Sequence, residues 1–330
     1  MSGTVALGWG IDLPARVVIN EELAPALGMD AAAIERISGV RARRRAEAGL
    51  GPSDLATRAA ERALAAAGLG AADVDLIVFA TMTPDIAFPG SGCFLQDKLG
   101  CRTVGAIDVR SQCTGFLAAL ATADAFVRAG RTGRALVCGA EVHSSGLDYT
   151  PRGATVTPRF GDGAGVVVVG PGEPNAVASC LLRNDPAGLE RFWCEFPASR
   201  NVPARMTRER FVAGAHYTVY DAPALAEQAR TAMAEVTGEA LDAAGVRADD
   251  VALFLMHYVD PRVAREAADV ARLPADRTIA TAEEAGHIAA AGIPIAIAQA
   301  LESGRLRRGD LVACTAFGAG IAWASAVLRV

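Results

Sequence analysis

Three strand-long runs of the chain are apolar almost without interruption: Leu76–Thr81, Val166–Val169 and Val251–Met256. A strand that alternates apolar and polar residues has one face in water, whereas an unbroken apolar run is buried on both faces, as in a mostly parallel sheet. Each run is far shorter than the roughly 20 apolar residues that a membrane span requires. The pattern therefore predicts an α/β protein with buried strands and no membrane segment.

The first and last of these runs belong to an internal repeat. Residues 63–80 align without a gap with residues 240–257, offset by 177 residues, and nine positions are identical. In both copies an alanine-rich stretch ends at a glycine, Gly68 or Gly245, as helices that end in a left-handed C-cap do. A polar turn and the apolar run follow. Each copy therefore predicts a helix, a turn and a buried strand.

The repeat extends beyond these segments. Residues 135–138 resemble residues 310–313, and the glycine-rich turn at 160–163 resembles that at 317–320. The offset decreases from 175 residues for the first pair to 157 for the second, so the first half carries roughly 18–20 additional residues around Val142–Arg159. A chain built from two such copies predicts two similar α/β domains. We place them at residues 1–172 and 173–330, joined near Gly170–Pro174.

Composition and charge exclude several classes of protein. The 330 residues are 52% hydrophobic and 21% charged with a net charge of −5, unlike a disordered chain or a nucleic-acid-binding surface. The first 20 residues lack the basic stretch and apolar core of a secretory signal. The seven cysteines and four histidines show no paired or metal-ligand spacing, so neither a disulfide framework nor a metal site is expected. We expect a cytoplasmic protein that binds neither nucleic acid nor membrane.

Cys113 differs from the other cysteines in its position. It follows a predicted strand at 106–109 and a turn at 110–112, and it opens an apolar helix that runs to about Arg128. The free amides and the dipole at a helix N-terminus favour a thiolate, and the backbone N–H there can stabilise an oxyanion. Cys113 is therefore the candidate nucleophile. The alternative is a small buried cysteine without a chemical role.

Two histidines occupy matched places in the second half. His257 ends an apolar strand, where the loops that carry function leave a parallel sheet. His287 precedes a helix that the repeat pairs with the Cys113 helix, because Gly115 and Gly292 are also 177 residues apart. Packing of the two halves about a pseudo-twofold axis would bring Cys113, His257 and His287 into one cleft.

Over nearly its whole length the chain resembles the thiolase superfamily, and specifically its ketoacyl-ACP synthase III group. The motifs that carry the resemblance follow the family's order and are residues 8–20, 38–44, 53–68, 87–89, 108–116, 160–165, 257–262, 292–294 and 308–323. The resemblance implies a thiolase-like α/β fold, in which two duplicated halves form α-β-α-β-α layers. It also implies a homodimeric acyltransferase without a permanently bound cofactor.

The resemblance assigns the chemical steps to matching positions. Cys113 matches the nucleophile that takes an acyl group from a coenzyme A (CoA) or acyl carrier protein (ACP) thioester. His257 matches the histidine that assists the transfer and holds the carbonyl of the second substrate. The backbone N–H groups of Cys113 and Ala319 match the oxyanion hole of the family.

The resemblance also implies contacts around these groups. Phe88 matches a loop residue that lines the acyl pocket of the partner subunit in a homodimer. Phe317 and Gly318 are expected to contact the substrate. Arg262 matches a basic residue at the tunnel mouth, where ACP is expected to dock.

The chain departs from the family pattern in three respects, and the first two change the expected chemistry. His287 replaces the asparagine of Gly-Asn-Thr-Ser, so the triad Cys113, His257 and His287 resembles that of the elongating ketoacyl synthases. A histidine donates a hydrogen bond as the asparagine amide does, and it can also accept a proton. The tryptophan and arginine that flank the adenine of CoA fall on Ala33 and Ile37, which predicts weakened CoA binding.

The third departure is Asp260, which replaces an asparagine that usually follows the first histidine. We interpret its carboxylate as an exposed loop charge without a role at the site. The alternative is that it reshapes the pantetheine channel. His143 and His216 receive no role from any motif and are expected to be ordinary surface or core residues.

These assignments favour an acyltransferase that loads an acyl group onto Cys113 and condenses it with a malonyl thioester, with loss of carbon dioxide. Fatty-acid or polyketide-type biosynthesis, with ACP as partner, is the expected setting. An alternative is acyl transfer to an alcohol, an amine or a second carrier, with His287 as general base. A less favoured alternative is a catalytically idle subunit that shapes the tunnel of another subunit.

Overall fold

The structure, a computed structural model, describes residues 3–330. Its strands are β1 (Thr4–Asp12), β2 (Arg16–Ile19), β3 (Ala42–Arg45), β4 (Leu76–Ala80), β5 (Gly105–Val109), β6 (Ala135–Glu141), β7 (Gly163–Pro171), β8 (Val177–Asn184), β9 (Phe192–Trp193), β10 (Val219–Tyr220), β11 (Leu253–His257), β12 (Thr278–Ala280), β13 (Leu311–Gly318) and β14 (Ala322–Arg329). Its helices are α1 (Asn20–Leu27), α2 (Ala31–Ser38), α3 (Pro52–Ala67), α4 (Ser91–Leu99), α5 (Gly115–Arg128), α6 (Arg208–Val212), α7 (Ala222–Ala244), α8 (Pro261–Val270) and α9 (Gly292–Glu302). Within these residues, no helix combines the length and the apolar character needed to cross a bilayer.

The two larger sheets have the same internal order. The first runs β1-β7-β6-β4-β5 and the second β8-β14-β13-β11-β12, so strands that the repeat equates occupy equivalent places. β4 pairs parallel with β5 and β6, as β11 does with β12 and β13. β7 and β14 run antiparallel to both of their neighbours. The expectation of mostly parallel strands therefore holds only among β4, β5 and β6 and among β11, β12 and β13. In the second half, a short turn at residues 319–321 returns the chain antiparallel.

Helices form three layers around the two sheets. α5 and α9 lie between the sheets and share one apolar core with both of them. α3 and α4 cover the outer face of the first sheet, and α7 and α8 cover that of the second. The order of layers is α-β-α-β-α, which confirms the predicted arrangement of two duplicated α/β halves.

The additional residues of the first half, 142–159, form a segment between β6 and β7 that we call the inserted segment. Two buried arginines of β3 hold its end: Arg43 Nη2 donates to the carbonyl of Pro158 at 2.8 Å, and Arg45 Nη1 donates to the carbonyl of Phe160 at 2.7 Å. A guanidinium carries several donors in a fixed plane, so each arginine can bind more than one carbonyl. The inserted segment is therefore fixed to the body of the protein beside the β6 strand end.

Candidate active site

Two equivalent turns place the reactive groups between the halves. Cys113 lies in the turn 112–114 that leads into α5, and its repeat partner Ala290 lies in the turn 289–291 that leads into α9. Gln112 and Ala289, again repeat partners, have φ angles of 45° and 30°. A side chain in this left-handed region costs roughly 1–3 kcal/mol and persists where the surroundings fix it. The two turns pack against each other, which brings the cysteine of one half to the histidines of the other.

The structure brings the three predicted catalytic side chains together. Cys113 Sγ lies 3.1 Å from His287 Nε2, and the rings of His287 and His257 stack with centroids 4.4 Å apart. His257 Nδ1 lies 2.5 Å from Thr281 Oγ1, which fixes the ring. A Cβ on Gly292 would lie 2.2 Å from His257 Cε1, so only glycine lets α9 begin this close to the ring.

Two backbone N–H groups lie beside the sulfur. The N–H groups of Ala319 and Cys113 both lower the pKa of the Cys113 thiol by hydrogen bonding to its sulfur. Gly318 passes so near that a Cβ there would lie 2.6 Å from Cys113 Sγ. Phe317 is fully buried and meets Tyr258 edge-on, with ring centroids 5.4 Å apart. The β13 end therefore forms one wall of the site.

Burial sets the charge state of the triad. Cys113 is 2% exposed, and His257 and His287 are 0% exposed. Burial, with a smaller contribution from the Glu141 carboxylate, raises the pKa of the Cys113 thiol to about 12. Burial also lowers the pKa of His257 to about 4 and that of His287 well below its ordinary value. The expectation that the helix N-terminus favours a thiolate is therefore wrong in its net result, because desolvation outweighs the amide donors.

Glu141 is a buried carboxyl group that the sequence analysis missed. It ends β6, and its Oε2 accepts hydrogen bonds from the hydroxyls of Thr81 and Thr83 at 3.0 and 2.6 Å. The N–H of Ala290 lies 3.4 Å from Oε1, so this side chain joins the loop after β4 to the turn beside His287. Its place at the carboxyl end of a strand, the criterion that selected His257, would also have selected Glu141.

His143 is a second residue beside the site that the motifs did not reveal. It belongs to the inserted segment, is 6% exposed, and lies 4.6 Å from the ring of Phe160, centroid to centroid. Phe160 in turn meets the ring of His287 at 5.6 Å. His287 is tied to the same stretch of chain, since its N–H donates to the carbonyl of Arg159 at 2.7 Å. His143 therefore lies one aromatic ring away from the triad.

The interpretation of Asp260 as an exposed loop charge is wrong. Asp260 is 5% exposed, caps the N-terminus of α8 and forms an ion pair with the buried Arg159 at 3.1 Å. Its Oδ2 also lies 2.6 Å from Nη2 of Arg262. Both arginines reach the carbonyl of Ile37 at the end of α2. The carboxylate compensates buried charge and joins α8, α2 and the inserted segment.

The remaining predicted residues lie around the site. Arg262 is half exposed but bound to Asp260, and Ala33 and Ile37 lie on α2 beside it. Phe88 is 76% exposed on the loop between β4 and α4. His216 lies away from these groups in contact with Phe211, with ring centroids 4.4 Å apart. The structure thus groups Cys113, His257 and His287 in the interior and leaves Phe88 at the surface.

Comparison with known proteins gives one consistent result. The family model described as 3-oxoacyl-[acyl-carrier-protein (ACP)] synthase III matches residues 107–186, and the model of its C-terminal part matches residues 241–330. A beta-ketoacyl-[acyl-carrier-protein] synthase III of Roseiflexus castenholzii is 36% identical over 98% of this chain and 96% of its own length.

Solved structures agree with this result. The 3-oxoacyl-(acyl carrier protein) synthase III of Pseudomonas aeruginosa PAO1 matches with a TM-score of 0.89 and 35% identity, over 99% of this chain and 98% of that one. The priming beta-ketosynthase from the R1128 polyketide biosynthetic pathway matches with a TM-score of 0.91 and 27% identity, over 100% and 96% of the two chains. The fold is therefore thiolase-like, as the motifs implied.

Substitution Glu141→Gln should remove a pH-dependent loss of stability. Burial raises the pKa of Glu141 to about 7 from an ordinary 4.5, so its favourable contribution is complete below pH 4.5 and is lost as the pH rises through about 7. Relative to the variant, the wild type should lose about 3 kcal/mol of unfolding free energy over this interval. Denaturant unfolding across the pH range measures the difference, with the exposed Glu61→Gln as control. Parallel curves for the wild type and Glu141→Gln would contradict the buried, protonated carboxyl group.

Proposed function

This chain belongs to the 3-oxoacyl-[acyl-carrier-protein] synthase III family of acyltransferases, and we propose that it carries an acyl group on Cys113 and condenses it with a malonyl thioester. The observation that supports this most strongly is the contact of Cys113 Sγ with His287 Nε2 at 3.1 Å in the buried interior of the protein. The acyl donor and the malonyl donor are CoA or ACP thioesters. No permanently bound cofactor enters the proposed reaction. Fatty-acid or polyketide biosynthesis is the setting.

The first step begins from a neutral thiol and a neutral imidazole. Because the pKa of Cys113 lies far above neutrality, its proton passes to His287 Nε2 as the sulfur attacks the thioester carbonyl. The new S–C bond forms, and the oxyanion is stabilised by the N–H groups of Cys113 and Ala319. The bond to the donor thiolate then breaks, and that thiolate leaves with the proton.

The second step uses the His257 imidazole as a hydrogen-bond donor. Loss of carbon dioxide from the malonyl thioester leaves an enolate, whose oxygen needs fixed donors. His257 Nε2 is buried and has no hydrogen-bond partner among residues 3–330, so it is free for that oxygen. The enolate carbon attacks the acyl carbonyl, the bond to Cys113 Sγ breaks, and the leaving sulfur takes up one proton from solvent, which condensation consumes. The product is a 3-oxoacyl thioester two carbons longer.

An ACP-bound donor agrees better with the α2 region than CoA does. Ala33 and Ile37 offer neither an aromatic ring for adenine nor a cation for phosphate. Arg262 is half exposed beside Ile37, and its guanidinium nitrogens donate to the Asp260 carboxylate and to the carbonyls of Arg36 and Ile37. We therefore assign ACP as the partner that presents the acyl group at this end of the site.

A homodimer is the proposed assembly. Phe88 is 76% and Ile86 48% exposed, and both lie on one loop. β5 is the edge strand of the first sheet, so its outer backbone groups are available to a second copy. In this assembly, Phe88 of each subunit reaches the acyl pocket of the other.

Acyl transfer without loss of carbon dioxide is the second candidate function. It draws support from His287, which lies where it can take a proton from an alcohol or amine as well as from Cys113. The intact contact between Cys113 and His287 argues against a catalytically idle subunit.

Incubation with acyl thioesters should add one acyl mass to the wild type and none to Cys113→Ala, as measured by intact-protein mass spectrometry. The variant His287→Asn should load about 100-fold more slowly or worse, because an amide cannot take the thiol proton. The exposed Cys93→Ala is the control and should load normally. Loading of Cys113→Ala at the wild-type rate would refute the nucleophile.

Addition of malonyl-ACP to the acylated protein should release one carbon dioxide per acyl group and give a 3-oxoacyl product two carbons longer. Carbon dioxide release and product mass measure this step directly. Release of the acyl group to an added alcohol or amine, without carbon dioxide, would replace condensation by the second candidate function.

Subunit complementation tests the dimer. Phe88→Ser should be poorly active and Cys113→Ala inactive, yet their heterodimers hold one complete site each. Coexpressed subunits that assort at random should recover about a quarter of wild-type activity. Light scattering should give twice 34.0 kDa for the wild type. A monomeric wild type, or no recovery of activity on coexpression of the two variants, would contradict the shared site.

A further inference from the structure

His143 carries a polar atom that the protein leaves without a partner. The side chain is 6% exposed, and its Nε2 is buried with no hydrogen bond to any residue between 3 and 330. Leaving a buried nitrogen unpaired costs about 1–3 kcal/mol. Such an atom calls for an explanation, and a ligand that forms a hydrogen bond with this nitrogen is one.

The charged groups nearest to His143 are engaged elsewhere. Asp162 accepts hydrogen bonds from the N–H groups of Ser144 at 3.0 Å and Ala46 at 2.8 Å. Arg45 donates to the carbonyl of Phe160 at 2.7 Å. Neither group therefore serves as the missing partner of the His143 ring.

The ring of Phe160 lies between His143 and the catalytic side chains. Phe160 packs against both His143 and His287, so the ring of His143 lies beyond the triad rather than in contact with the sulfur. Phe160 belongs to the same apolar cluster as Leu147 and Val156 of the inserted segment and Phe317 of β13. An acyl chain extending from Cys113 past His287 would meet an apolar wall with one imidazole nitrogen in it.

We propose that His143 hydrogen-bonds an oxygen atom on the acyl chain carried by Cys113, so that the protein selects acyl groups bearing a hydroxyl or carbonyl over plain alkyl groups. This inference rests on the proposed acyl transfer at Cys113. It names the substrate class of that site, which neither the triad nor the matched family defines.

The neutral state of the ring decides which polar groups fit. Burial lowers the pKa of His143 to about 4, so at neutral pH the ring is uncharged and offers one donor and one acceptor nitrogen. A hydroxyl can meet either nitrogen and a carbonyl can meet the donor. A carboxylate would be desolvated here at a high cost, because the nearest cation, Arg45, already faces the Asp162 carboxylate.

The position of the ring is fixed well enough for selectivity. The N–H of Val142 donates to Thr83 Oγ1 at 2.9 Å, and the N–H of Ser144 donates to Asp162 Oδ1 at 3.0 Å. The backbone on both sides of His143 is thus fixed. A rigid polar group discriminates because an alkyl chain leaves it unpaired, whereas a matched oxygen satisfies it.

Loading rates with matched thioesters test the inference. N-acetylcysteamine thioesters are prepared in pairs over a range of chain lengths, each alkyl chain compared with one in which a hydroxyl replaces the terminal methyl. At the best length, the wild type should load the hydroxyl member about tenfold faster. His143→Leu should lose or reverse this preference while loading the alkyl member at least as well. His143→Gln, which keeps a donor and an acceptor, should retain part of it, and thermal melts check that both variants fold.

Two results would overturn the inference, and they are distinguishable. Equal hydroxyl-to-alkyl ratios for wild type and His143→Leu at every length, with normal loading of Cys113, would show that the nitrogen contacts only water or core and would leave the proposed function intact. Failure of every thioester to load wild-type Cys113 would overturn the proposed function, and this inference with it.

Discussion

The contact between Cys113 and His287 is the interaction on which the site depends. It lies in an interior from which water is excluded, and this burial raises the pKa of the thiol while lowering the pKa of both histidines. All three groups are therefore neutral at rest. Charge develops only as the sulfur attacks, beside the N–H groups of Cys113 and Ala319, which point at that sulfur. The protein thus stabilises the transition state rather than a resting thiolate.

The duplicated fold makes this contact possible. Each half contributes one strained turn at the start of a central helix, and the two turns meet at the middle of the molecule. The halves then diverge in chemistry: one turn carries Cys113, whereas its equivalent carries Ala290 and is preceded by His287. The inserted segment exists only in the first half, yet it holds the histidine of the second through the Arg159 carbonyl. The site is therefore shared by both halves.

Much of this architecture could be predicted from the sequence, because it follows from local patterns. The repeat gave equivalent strands, and helix starts at matched positions gave Cys113 and His287. The charge state could not be predicted in this way, since desolvation depends on how both halves cover the sulfur. Asp260 was misjudged for a similar reason: its buried partner Arg159 lies 101 residues earlier in the chain. Glu141 could have been found from its place at a strand end, whereas His143 has no sequence signal, and only the folded structure places it beside the triad.

The pH dependence of the Cys113 thiolate tests the neutral resting pair most directly. The ultraviolet absorbance of thiolate, taken as the difference between the wild type and Cys113→Ala, reports this group alone. The account predicts almost no Cys113 thiolate at neutral pH and a rise only in strongly alkaline solution. A full thiolate signal at or below pH 7, as an ion pair with a protonated imidazole would give, would contradict it.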